Sequence, residues 1–188
     1  MKIKQLHIYI LFLFVSCNAQ ESNYINYTHD LPDVIEPYNL NVDEISVIID
    51  KSEYKLSIIV DNKVLKEYPI VFGKNPLDDK LMQGDECTPE GTFKIVSKYP
   101  HRSWSKFIWI NYPNVDSWRK HNSAKIEGII PKDANIGGEI GIHGVPEGMD
   151  NLIDLRINWT LGCISMKNRD VDELYPYISE STIIVIQK

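Results

Sequence analysis

Between Ile45 and Ile186 the chain falls into short runs of β-branched and aromatic residues separated by compact polar turns. That rhythm narrows the fold more than any other feature. Ile45-Ser46-Val47-Ile48-Ile49, Tyr54 to Val60 and Val64 to Phe72 follow one another across Lys51-Ser52-Glu53 and Asp61-Asn62-Lys63. Runs of this length and composition suit a pleated, half-buried surface rather than a helix, so a three-stranded meander is expected. Thr92 to Val96, Lys106 to Ile110, Glu139 to His143 and Thr182 to Ile186 read as further strands. One short helix is expected near the C-terminal end. Asn168 suits its cap, Asp170, Asp172 and Glu173 suit its positive N-terminal end, and Val171, Leu174 and Tyr175 share a face before Pro176 ends it. The expected class is mainly β, a sandwich or open barrel with a short helix after the Cys163 segment.

The first 43 residues do not share this pattern. Met1 to Cys17 carries Lys2 and Lys4, then an apolar core from Ile8 to Val15, which is signal-peptide length and too short to span a bilayer. It ends Phe14-Val15-Ser16-Cys17, similar to a bacterial lipobox, so cleavage after Ser16 and a lipid on Cys17 are expected, placing the protein in the periplasm as a membrane-anchored lipoprotein. Secretion with cleavage near Ala19 is the plainer alternative. The next stretch is polar, holds Pro32 and Pro37 and has no sustained period, which reads as a tether with one short packed segment around Val34-Ile35. The expected organisation is therefore signal peptide 1–16, lipidated tether 17–43 and one domain over 44–188.

Charge and cysteine usage exclude several functions. With 20 Lys+Arg against 26 Asp+Glu the net charge is −6, and loss of Lys2 and Lys4 takes it to −8; a nucleic-acid partner requires the opposite sign. The cysteines at 17, 87 and 163 fit neither a disulfide framework nor a zinc pattern.

Chemistry concentrates between residues 141 and 168. Cys163 lies in Thr160-Leu161-Gly162-Cys163-Ile164-Ser165-Met166, where a glycine before the cysteine permits a tight turn and leaves the sulfur accessible. Twenty residues earlier, His143 ends the strand-like Gly141-Ile142-His143 and precedes Gly144. A thiolate–imidazole pair would lower the thiol pKa and supply a proton to a leaving amine. From residue types alone, a small buried Cys and a structural His at a strand end are equally open readings.

Taken together, the two motifs resemble the L,D-transpeptidase catalytic domain, the YkuD family. Thr160, Gly162, Cys163, Ile164 and Met166 match its nucleophile run, Asn168 matches a common polar position, and His143 falls at the expected distance upstream. Asp50 to Leu56, Tyr68 to Lys74 and Thr88 to Phe93 look like successive segments of such domains, and Ile110-Asn111-Tyr112-Pro113-Asn114 is similar to the YafK-like branch. The resemblance implies a periplasmic enzyme acting on peptidoglycan stem peptides. Cys163 would form a thioester with release of D-Ala, and an amine of a second stem would resolve it. His143 would be the base, the Gly144 carbonyl its orienting group, and the amides of Leu161, Gly162 and Cys163 the oxyanion donors. No metal or organic cofactor is implied.

Two positions depart from the family pattern: Leu161 replaces a histidine and Ser165 an arginine. Arg156, Lys167 or Arg169 could restore that charge, and Thr160, Trp159, Ser165 and Arg156 are the candidate substrate contacts. The departures leave the acceptor open: an amine for transpeptidation, or water for an L,D-carboxypeptidase or an amidase that releases a wall-linked lipoprotein. A catalytically silent wall-binding module is the reading from another class. Among the remaining residues, Cys87 is expected to be incidental, and His29, His101 and His121 exposed. Trp159 is the best groove candidate, and Trp104, Trp109 and Trp118 are expected in the core. Asp78, Asp79, Asp85 and Glu86 could attract a substrate ammonium.

Overall fold

In the computed structural model, residues 24–188 are described. The signal peptide, the lipobox and Cys17 lie outside them. Eight strands form the body: β1 (Ser46–Asp50), β2 (Lys55–Val60), β3 (Lys63–Val71), β4 (Gly91–His101), β5 (Ser105–Ile110), β6 (Gly141–His143), β7 (Ile164–Met166) and β8 (Ile183–Gln187). They close into a barrel in the order β1-β2-β3-β7-β6-β5-β4-β8. The mainly β class is as expected, and closure leaves no open sheet edge.

The β1-β2-β3 meander forms where the sequence places it. Asp61 and Asn62 both adopt positive φ (49° and 60°), the conformation a two-residue hairpin turn demands and one that Asp and Asn tolerate. Alternating residues from the strands fill the barrel: Val47, Ile49, Leu56, Ile58, Ile70, Ile108, Ile142, Ile164 and Ile184 are buried together. The two parallel pairings, β1 with β8 and β6 with β7, need crossovers. The second crossover carries a short helix, α3 (Asn151–Asp154), and the nucleophile turn.

Four features differ from the sequence expectation. Helix α2 (Val115–Ile126) was not expected, because its buried side chains are Ser117, His121 and Ala124 and no apolar stripe marks it; the Asn114 side chain accepts the Ser117 N–H at its start. The same burial overturns the exposed reading of His121, whose Nδ1 lies 2.6 Å from the Leu81 carbonyl. Helix α4 (Asn168–Leu174) buries Val171 and Leu174 as expected, but Asn168 does not cap it; its side chain turns toward the loop after β6.

The fourth difference is the extent of packing along the tether, since the segment around Val34-Ile35 packs as expected but its flanks do so as well. Residues 24–44 pack on the barrel, with a short helix α1 (Leu31–Ile35) whose Leu31 is wholly buried and Val34 and Ile35 against the core. Polar contacts that no periodicity reveals hold it there. The Tyr27 hydroxyl donates to Asp170 at 2.8 Å, the Leu31 N–H donates to Glu173, and Glu173 also accepts from Lys66 (2.8 Å) and Tyr68 (2.7 Å). The buried Lys66 ammonium donates in turn to the His29 carbonyl. Tyr27, Lys66, Tyr68, Asp170 and Glu173 each have a hydrogen-bonding partner in this cluster, which is the condition for burying charge at all.

Candidate active site

The nucleophile turn is built from backbone outward. Thr160 is tied to the end of β3, its N–H donating to the Phe72 carbonyl (3.3 Å) and its C=O accepting from Lys74 (3.1 Å). The Thr160 hydroxyl donates to the Cys163 carbonyl (2.7 Å) and accepts the Gly162 N–H (3.1 Å), closing a tight loop. Gly162 sits at φ 140°, and a Cβ there would come within 2.7 Å of the Cys87 carbonyl. The glycine is thus obligatory for two separate reasons. Cys87 forms the floor of the turn: it is a buried free thiol whose S–H donates to the Asp85 carbonyl at 3.2 Å, and burial pushes it up to about 11.

Cys163 emerges from this turn one residue before β7. Parallel pairing of Ile142 with Ile164 and His143 with Ser165 sets Cys163 level with Gly141, two residues before His143 on the neighbouring strand and so on the same face of the pair. Both line a cavity of about 1120 Å³ together with Thr160, Leu161, Trp159, Trp104, Glu139 and Lys80. The His143 ring is buried, stacked between Trp104 (centroids 4.4 Å apart) and Phe107 (5.7 Å), with Trp159 edge-on at 5.5 Å. Its Nδ1 lies 2.6 Å from the Gly144 carbonyl oxygen. A carbonyl only accepts, so Nδ1 carries the hydrogen and the neutral ring keeps Nε2 as its basic atom.

Burial dominates the electrostatics of both groups. Burial pushes His143 down to about 4, although the Gly144 carbonyl favours the charged ring. Burial likewise pushes the Cys163 thiol up to about 11; a hydrogen bond from the Gly141 backbone and the charge of Lys80 pull it back in part, and Glu139 adds to the rise. Both shifts favour the uncharged forms, a thiol and a neutral imidazole, because burial disfavours either charge.

Several candidates occupy other places than expected. The Gly162 amide is engaged by the Thr160 hydroxyl, which leaves the Leu161 and Cys163 amides as oxyanion candidates. Ser165 is fully buried and does not line the cavity; its hydroxyl donates to the Gly144 carbonyl at 3.1 Å. Arg156 is exposed, lies over the Tyr54 ring and is not among the cavity residues. Lys167 pairs with Asp154, and Arg169 is taken by Tyr27 and Asp170. None of the three cations replaces the missing arginine. Thr160, Leu161 and Trp159 do line the cavity, Leu161 being 69% exposed at its surface. The buried Trp159 indole N–H has no acceptor among the described residues, a cost of about 1–3 kcal/mol unless something enters to meet it.

Other lining residues escaped the sequence reading. Tyr99 and His101 on β4 face Phe107 and Ser105 on β5, and His101 stacks on Trp104 at 4.4 Å. The two-residue spacing of Tyr99 and His101 was the available signal. Trp104 and Trp109 line the cavity rather than the core, whereas Trp118 is exposed on α2. Among the four acidic loop residues only Glu86 reaches the cavity, and it pairs with Lys74; Asp85 instead holds Lys80 and three backbone amides.

Comparisons with known proteins bear on the family and the fold. The family model of the YkuD L,D-transpeptidase catalytic domain matches residues 44–186. The chain belongs to the YkuD family. It is 28% identical over 144 residues to the Bacillus subtilis (strain 168) protein named "Putative L,D-transpeptidase YqjB", covering 74% of this chain and 69% of that one. Among solved structures, Bd1075 of Bdellovibrio bacteriovorus superposes with a TM-score of 0.54 at 22% identity, over 77% of this chain and 48% of that one. The helical cell shape determining protein Pgp2 of Campylobacter jejuni gives 0.56 at 21%, over 77% and 47%. An L,D-transpeptidase of Mycobacterium smegmatis gives 0.50 at 16%, over 77% and 59%. The chain thus spans about half of these solved relatives, and at such identities the likeness shows the YkuD fold.

Proposed function

We propose that this YkuD domain is a peptidoglycan L,D-transpeptidase working through Cys163 and His143. One arrangement carries the reading: a half-buried thiol and a tautomer-fixed imidazole on adjacent parallel strands, opening into one cavity. Nε2 of His143 accepts the Cys163 proton as the sulfur attacks the stem-peptide carbonyl that precedes D-Ala. The amides of Leu161 and Cys163 hold the resulting oxyanion. The intermediate collapses with rupture of the C–N bond, the imidazolium returns its proton to the departing D-Ala amine, and a thioester remains. An amine of a second stem then attacks, His143 removes a proton from it, and the cysteine thiol is regenerated as a new amide forms.

The signal peptide and lipobox support placing the domain in the periplasm, held to a membrane by lipid on Cys17. Intact mass of the mature N-terminal peptide tests this: the diacylglyceryl mass on Cys17 is expected, and an unmodified peptide starting near residue 20 overturns it.

The activity is tested by incubating the purified domain with tetrapeptide muropeptides, with and without a free amine acceptor. Dimers joined between two diamino acid residues are expected, with a Cys163 thioester trapped on the way. Tripeptides or a released wall-linked lipoprotein alone would instead make the protein a hydrolase using the same thioester. No adduct on Cys163 with any acyl donor would leave a wall-binding module.

A further inference from the structure

The Gly144–Val145 peptide, which presents its carbonyl to His143, is gripped at both ends by the segment that follows the nucleophile. The Gly144 oxygen accepts not only from His143 Nδ1 (2.6 Å) but also from the Ser165 hydroxyl (3.1 Å). The N–H at the other end of the same peptide, that of Val145, donates to the Asn168 side-chain oxygen at 3.0 Å. The Gly144 N–H is fixed separately by the Trp104 carbonyl at 3.0 Å. Contact with Asn168 is so close that a Cβ on residue 144 would lie 2.0 Å from its Oδ1. The direction of each bond is unambiguous, since a carbonyl cannot donate and a backbone N–H cannot accept. A carbonyl oxygen has two lone pairs, so both donors are accommodated. Ser165 is wholly buried, and neither it nor Asn168 lines the cavity.

We propose that Ser165 and Asn168 are positioning residues that clamp the Gly144–Val145 peptide and thereby hold His143 in its Nδ1–H tautomer, with Nε2 free to serve Cys163. The inference rests on the Cys–His reading above but concerns residues that touch neither substrate nor sulfur. It gives Ser165 a task that needs a small neutral donor with no reach into the cavity. It also joins the two halves of the site through hydrogen bonds: Cys163, Ser165 and Asn168 lie within six residues, so the nucleophile and the orientation of its base are set by one stretch of chain.

The test compares Ser165→Ala, Ser165→Thr and Asn168→Ala in the full domain by three readouts. Nitrogen NMR of the His143 ring reports the tautomer, acylation of Cys163 by a stem tetrapeptide gives kcat and KM, and the acid limb of the acylation rate gives the base pKa. Ser165→Ala is expected to lower kcat about tenfold with KM unchanged, to admit the Nε2–H tautomer and to move the acid limb downward, because a carbonyl no longer held in place accepts less well from Nδ1–H in the neutral and the protonated ring alike. Ser165→Thr keeps a hydroxyl and restores the wild-type tautomer. Losses from Ser165→Ala and Asn168→Ala combine to less than their product, since they act on one peptide. The clamp is overturned if Ser165→Ala leaves the tautomer and acid limb unmoved, whatever happens to thermal stability, or if its loss lies in KM. Absence of acylation in the wild type would sink the Cys–His reading instead. The tautomer measurement needs no substrate and decides the clamp in either case.

Discussion

The two sides of the barrel are held by different means. Strands β1, β2, β3, β4 and β8 are five to eleven residues long and registered by ladders of four or more pairs, with one register shift between Ile58 and Ile59. Strands β6 and β7 are three residues each, and their ends are located by side chains: Thr160, Ser165 and Asn168 satisfy backbone groups that a longer ladder would have satisfied. Ladders position a strand; side-chain bonds position single carbonyls and amides. A site that must aim one imidazole and one sulfur is built on the second kind of support, within a wall made rigid by the first.

That contrast is broken most severely at the sulfur. Cys163→Ala is expected to abolish thioester formation completely while the melting temperature holds, as intact-mass trapping and calorimetry would show. His143→Gln removes the base from the same short-stranded side and should lower the acylation rate by about 10²–10⁴ with the fold intact. Leu31→Ala is the converse experiment. Emptying a fully buried leucine site on the N-terminal segment should cost about 2–5 kcal/mol in denaturant unfolding and leave kcat of the folded fraction unchanged. A fall in kcat matching the loss of stability would show that the two sides are not separable.

The pH response is a milder probe. With His143 at about 4 the neutral base persists well below its ordinary titration near 6.5, so acylation at pH 5.5 should stay close to its neutral value rather than fall about tenfold. Stability has the matching sign. Between those two values the unfolded chain binds a proton that the folded chain refuses, so the His143 contribution is present above pH 6.5 and is lost as pH falls toward 4. Removal of that slope by His143→Gln in urea titrations at several pH values checks it. Smallest of all, Leu161→Ala at an exposed position should shift stability by no more than about 0.5 kcal/mol; an altered KM with unchanged melting would mark it as a substrate contact.

The same division explains what could be read in the sequence. The meander was legible because β1 to β3 are long enough to alternate and Asp61-Asn62 announces its own turn. The family resemblance of the Cys163 run singled out Cys163 and His143 as candidate nucleophile and base, but β7 is too short for any period, and Ser165 looked like a lost cation rather than a donor to a carbonyl. Helix α2 hid because it buries Ser117, His121 and Ala124, which carry no hydrophobic stripe. The packed N-terminal segment hid because its anchors, Tyr27 with Asp170 and Lys66 with Glu173, lie more than a hundred residues apart for either pair. Pairing at that range leaves no trace in local composition.

Those anchors also define how the domain bears load. Tension applied at the N-terminal end of the described chain would meet these contacts in turn: the backbone bond from Glu67 N–H to the Ile25 carbonyl with the Ile25 N–H bond to the Glu67 carboxylate, then the Tyr27–Asp170 link, then the Glu173 cluster around the buried Leu31. These contacts lead into β3 and α4, so a load entering from that side would be divided between two parts of the domain far apart in sequence before it reached β6 and β7.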